Sequence, residues 1–213
     1  MKRLSILLTM AALMLAVTSP TWANLVTNPG FESGGTNPTG WGVNVSSGAT
    51  SGYITSGTPG VDVHTGSRAV YLQDPMTTSN DRWFLTNPSL IPVTEGQEIE
   101  ISFWVKTENL DADDQVILRI AQQDATNTGT GAQGHSYTIG NTDWTQLTRT
   151  FTITGATTTN FRLLLLLGYG NNSTSNATAQ ATFDDVSVTQ VIPEPASAML
   201  IGLGGLALVR RRR

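Results

Sequence analysis

Apolar residues along this chain recur mostly at every second position, in short runs broken by Gly, Asn and Pro. The run 98–107 is the clearest. Ile99, Ile101, Phe103 and Val105 fall on one side of an extended chain, and Glu98, Glu100, Ser102, Trp104 and Lys106 on the other, because successive side chains of a strand point to opposite faces. Residues 68–73 alternate in the same way, and within 144–154 Leu147, Phe151 and Ile153 share a phase. The stretch 160–168 is almost continuously apolar, as suits a central strand buried on both sides. A helix there is disfavoured, since the run is short and ends at Gly168. Further strands are predicted at 41–45, 53–56, 82–85, 115–122 and 179–191, with a short one within 24–33 before a turn at Pro29 and Gly30. Eight to ten strands with little helical periodicity predict an all-β domain, two stacked sheets in a jelly-roll sandwich. The Gly-rich 129–134 and the Ser, Thr and Asn tract 171–178 read as loops. Trp41 and Trp144, following Gly40 and Asp143, read as core anchors.

Both ends break this pattern. Lys2 and Arg3 precede an apolar stretch, 4–17, and Thr21, Trp22 and Ala23 form a small-x-small cleavage site. These are the parts of an export signal, whose removal after Ala23 leaves Asn24 first. At the other end, Pro193, Glu194 and Pro195 precede an apolar run, 196–209, and four closing arginines. As a helix that run spans about 21 Å, short of a hydrocarbon core of about 30 Å. The arginines extend its reach by snorkelling and stay cytoplasmic. The prolines hold the preceding segment extended and open to a protease. This ending closely resembles the PEP-CTERM sorting signal of exported proteins from Gram-negative, biofilm-forming bacteria. The resemblance implies an exosortase-type membrane protease as partner and transient membrane anchoring by the C-terminal helix. The protein then moves to the cell surface or extracellular matrix. The chain divides into a signal peptide (1–23), a domain (24–190) and a sorting segment (191–213).

Charge narrows the partners. Six of the 12 Lys and Arg lie in the two end segments, as does one of the 16 Asp and Glu, so the domain holds six basic and 15 acidic residues, a net charge of −9. Such a surface argues against nucleic acid and anionic lipid. It is compatible with divalent cations and neutral glycans. The chain has no cysteine, which excludes disulfide staples, thiolate nucleophiles and thiolate metal sites.

Three segments carry a second resemblance: 25–32 with Asn28, Gly30 and Glu32, followed by Gly40 and Trp41; 63–72 with His64, Gly66, Ser67 and Arg68; and 182–188 with Asp184 and Asp185. Residues 101–106 and 143–147 are in the same style. Together they resemble a calcium-containing jelly-roll carbohydrate-binding module of the galactose-binding-like group. The resemblance implies structural calcium held by Glu32, the carbonyls of Ser67 and Arg68, and Asp184 or Asp185, with the last strand lying beside the first. Calcium takes roughly 6–8 oxygens and mixes carboxylates with carbonyls. Strand alternation predicts one of the two aspartates at the metal and the other in solvent or bonded to a loop.

Sugars are held by aromatic faces and planar polar side chains. Trp104, opposite in phase to Phe103, is a candidate platform. Arg119, and Arg162, out of phase with Phe161, Leu163 and Leu165, are expected to share its groove. Trp83 and Tyr53 are candidates for the loop edges. Leu164 and Leu166, in phase with Arg162, make that face greasy for a sugar cleft. His64 lies in the resemblance's turn and His135 in a Gly-rich loop without an evident acidic partner. No nucleophile elbow, zinc-helix or phosphate-loop motif occurs, and Asp111, Asp113 and Asp114 read as a solvated loop. The expectation is a non-catalytic module engaging exopolysaccharide or biofilm matrix. The alternatives are a structural matrix protein without glycan specificity and an accessory to glycoside hydrolysis.

Overall fold

The computed structural model describes residues 23–35, 37–44, 50–74, 83–86, 90–112, 114–169 and 178–191. The expected signal helix, the sorting helix and most of the 171–178 loop lie outside them. The described residues form eleven strands: β1 (Gly42–Asn44), β2 (Thr50–Ile54), β3 (Ala69–Asp74), β4 (Trp83–Thr86), β5 (Ile91–Pro92), β6 (Glu98–Glu108), β7 (Asp114–Gln123), β8 (Gly129–Tyr137), β9 (Thr142–Thr152), β10 (Asn160–Tyr169) and β11 (Ala179–Val191).

They make two antiparallel sheets. One runs β1-β4-β10-β7-β8, with β5 also on β10; the other runs β2-β3-β11-β6-β9. The alternation in β6 fixes which side faces in. Ile99, Ile101, Phe103 and Val105 are fully buried, against Phe161, Leu163, Leu165 and Leu167 of β10 in one continuous core. Each such side chain contributes about 1.5–3 kcal/mol of burial. The continuous apolar run of β10 is explained by position: it is central, paired with β4 and β5 on one side and β7 on the other.

Two predicted elements differ. The segment 129–134, read as a loop, is most of β8, an edge strand paired only with β7. Its backbone bonds make it a strand, while its Gly, Thr and Gln side chains carry no apolar alternation. The opening segment is not a strand. It runs beside β11 on single bonds, Leu25 N to Val188 O (2.9 Å) and Val186 N to Pro29 O (2.9 Å). Asn24 fastens it, donating Nδ2 to Val186 O (2.7 Å) and accepting Val188 N at Oδ1 (2.9 Å).

Candidate functional site

Where the opening segment meets β11, two carboxylates gather and the stem of Glu32 passes beside them. A methyl group added to Gly30 would sit 3.1 Å from Asp185 Oδ1, 3.8 Å from Glu32 Cγ and 3.9 Å from Asp184 Oδ1. Asp184 and Asp185 do not alternate as expected. The ladder between β11 and β6 shifts between Asp184 and Ser187, and Asp185 has φ +45°. A left-handed residue in a bulge re-aims its side chain, so both aspartates grip the turn at His64 and Thr65. Asp184 Oδ2 accepts His64 N (2.9 Å) and Thr65 N (3.2 Å), and its Oδ1 accepts Asp185 N (2.8 Å). Asp185 Oδ2 accepts His64 Nδ1 (2.7 Å) and the Thr65 hydroxyl (2.7 Å).

Glu32 closes the next turn. Its Oε1 accepts Ser67 N (2.9 Å) and Arg68 N (3.1 Å), and its Oε2 accepts Ser67 Oγ (3.1 Å). Gly66 makes this possible: its φ is +61°, and a Cβ there would lie 2.1 Å from Glu32 Oε1. The turn therefore offers Glu32 amide N–H groups rather than carbonyls. The Ser67 carbonyl accepts Gly57 N at 2.8 Å. Arg68 Nη1 donates to Gly34 O (2.9 Å) and to the Tyr53 hydroxyl (3.1 Å), which itself donates to Phe31 O. Tyr53 thus pins the opening loop rather than lining an open edge.

Asp184 is fully buried. Burial, and then the neighbouring charge of Asp185, push its carboxyl up to about 7, against three amide N–H groups that pull it down. Among the described residues no three His, Asp or Glu side chains close tightly enough to hold a metal by themselves. The polar atoms beside Gly30 are the Oδ1 atoms of Asp184 and Asp185, and two adjacent carboxylates in a poorly solvated corner suit a hard cation. Glu32, Asp184 and Asp185 are the residues that could hold one.

His64 also covers Trp104. The rings stack at 3.8 Å with 13° between planes, and Trp144 leans on His64 at 5.8 Å. Trp104 is therefore no open platform. Trp144 stands half-buried on this outer side rather than in the core, in phase with Gln146, which pairs with Trp104. Trp41 is buried, with Nε1 on Asn28 O (3.1 Å) and its ring 5.0 Å from Phe31.

The expected grouping of Trp104 with Arg119 and Arg162 does not occur. Trp104 lies on the outer side of one sheet and the arginines on the outer side of the other, because the chain crosses between sheets from β6 to β7. Strands that follow one another in sequence are here in different layers. The two arginines do come together. Arg119 pairs with Leu164, and Arg162 with Ala121, so they are diagonal neighbours about 7–8 Å apart in Cα. Gly134 lies opposite Arg119 on the other flank. The surface is graded: Ile117 and Leu166 are buried, Leu164, Ala121 and Arg162 half-buried, Arg119, Ala132 and Gly134 exposed. Arg162 Nε is buried without a hydrogen-bond partner. Trp83 occupies the register position opposite Leu167, a core residue, rather than one opposite the arginine row.

Sequence reasoning missed the exposed rim of this ledge, Ala132 and Gly134, because β8 has no strand pattern. It also missed Asp114, which is buried rather than solvated and accepts Asp111 N at 2.6 Å.

An antiparallel sandwich with a clasped opening loop under one sheet and a graded, arginine-bearing ledge on the other is a ligand-binding β-module. Residues 23–178 match the family described as carbohydrate binding domain, and the chain belongs to that family. Residues 191–213 match the PEP-CTERM protein-sorting motif. No curated protein matches the chain. Among solved structures, the enzymatically active domain of tailspike protein 4 from bacteriophage CBA120 is similar at TM-score 0.56 and 13% identity, covering 79% of this chain and 21% of that one. The chain thus spans about a fifth of the tailspike's length. TmCBM61 in complex with β-1,4-galactotriose is similar at 0.52 and 16%, covering 79% and 99%. The CBM22-1 xylan-binding domain of Xyn10C from Paenibacillus barcinonensis is similar at 0.52 and 16%, covering 83% and 100%. At such identities these likenesses establish the jelly-roll fold.

Proposed function

We propose that the domain is an exported, non-catalytic carbohydrate-binding module, delivered to the cell surface or matrix by its tail, and that glycan lies on the arginine ledge of the six-stranded sheet. The observation that carries this is Arg162 beside Arg119 on an outer sheet surface, with Arg162 Nε buried and unbonded. Guanidinium groups present up to five donors in a fixed plane and read ring hydroxyls well. The half-buried Leu164 and Ala121 supply the apolar floor on which a sugar face rests. TmCBM61 with its bound β-1,4-galactotriose and the xylan-binding Paenibacillus domain support a chain-like glycan as ligand. Exopolysaccharide of the surrounding matrix is the proposed partner, and an exosortase-type protease acts at Pro193, Glu194 and Pro195. Calcium at Glu32, Asp184 and Asp185 is the proposed structural ion, offsetting the charge that burial disfavours.

The test is a glycan array spanning neutral and acidic polysaccharides, run on the full chain and on Arg162→Ala. Binding that drops about tenfold or more in the variant is expected. An array with no binding at all removes the glycan-binding reading and leaves a structural matrix protein.

A further inference from the structure

The two sheets differ in charge far more than the whole domain suggests. The five-stranded sheet holds one acidic residue in β3, three in β6, one in β9 and two in β11, against Lys106 and Arg149. Among the described residues, the strands of the six-stranded sheet hold one acidic residue, Asp114 at the start of β7, and it is fully buried. The charges this sheet offers to solvent are Arg119 and Arg162. Neither forms a salt bridge among the described residues, where the pairs are His64 with Asp185 and Lys106 with Glu108.

We infer that the ledge selects an acidic polysaccharide, one bearing carboxylates such as uronic acids, over neutral chains. This rests on the proposed glycan site and names its substrate class. Two guanidinium groups without counter-ions, side by side over a half-buried apolar floor, form a receptor for planar anions. Arginine meets a carboxylate with two parallel hydrogen bonds, each stronger than a bond to a neutral hydroxyl. A site for a neutral sugar places carboxylates beside its arginines to accept from hydroxyls; the outward positions on β7, β8 and β10 supply no carboxylate, and of their amides Gln123 and Asn160 lie at the end of the arginine row. The domain's acidic residues do not cancel this. Of the eight acidic residues in the described strands, seven lie on the other sheet, across the thickness of the sandwich, and charges beyond about 10 Å are largely screened at 0.1 M salt.

Isothermal titration of the full chain in detergent micelles, with a β-1,4-glucuronate hexasaccharide and its carboxyl-reduced counterpart, decides the matter. The acidic oligomer is expected to bind at least about tenfold more tightly, with Arg119→Gln and Arg162→Gln each removing about tenfold of that and hardly touching affinity for the reduced form. Arg119 is exposed, so Arg119→Gln leaves folding intact, with an unchanged melting temperature as the check. Equal or better binding of the reduced oligomer overturns the acidic preference and leaves the module reading standing. Acidic binding that survives both substitutions overturns the ledge as its site. Failure of both oligomers here, together with an array that binds nothing, overturns both readings.

Discussion

A tryptophan that faces outward on a strand is a sugar platform only if nothing lies on it. At Trp104 the imidazole of His64 lies on it, 40 positions earlier in the chain and anchored by Asp185. No local pattern foretells such a contact. Trp104→Ala is accordingly predicted to lower stability by about 1–3 kcal/mol through lost stacking and area and to leave glycan affinity unchanged. A urea melt and a titration on one preparation check both halves; a large loss of affinity at intact stability returns Trp104 to the binding site. The arginines were easier to see. Arg162 is the single charged residue of β10, so its phase against Phe161, Leu163 and Leu165 gave its side of the sheet. Its company was not legible, since register between distant strands fixes it.

Elements tell a similar story. β6 was readable to within a residue or two because its two sides differ in every position. β8 was not, because a strand whose residues 129–134 are Gly, Thr, Ala and Gln shows no apolar alternation, although its backbone pairs with β7 along its length. The bulge in β11 was hidden for another reason: Asp185 tolerates a left-handed backbone as few non-glycine residues do, so no glycine marks the place. That bulge sets the pH behaviour of the clasp. Asp184 is raised from 3.8 to about 7 on folding, so the folded form holds its proton more tightly than the unfolded one. Its contribution is intact below about pH 4 and is lost as pH rises through about 7. Calcium-free protein is therefore predicted to lose stability between those values, and Asp184→Asn to flatten the slope. Added calcium should restore stability most at the upper end, where the carboxylate is ionised. Denaturation curves at both ends, with and without calcium, test this; a slope that persists in Asp184→Asn assigns it elsewhere.

For the whole molecule, a net charge summed over the sequence hides how charge is distributed. The value of −9 is compatible with divalent cations and neutral glycans, yet seven of the eight acidic residues in the described strands lie on one sheet while each sheet carries two basic ones, and only the pairing of strands reveals which layer each joins. What was legible, an all-β domain followed by a sorting motif, came from alternation and from the order of the motifs, and neither depends on long-range register. The clasp at the start of the domain links that order to stability. Asn24, at the start of the described domain, bonds twice to β11. Asn24→Ala should cost about 1–3 kcal/mol, read as a lower melting temperature. β11 itself is central in its sheet, zipped to β3 and β6, and the sorting segment leaves from its last residue, Val191. Any pull on that tail enters the fold along the axis of an interior strand. Its ladder bonds, to β6 as far as Val191 and to β3 over 179–183, then bear the tension in shear rather than peeling one by one.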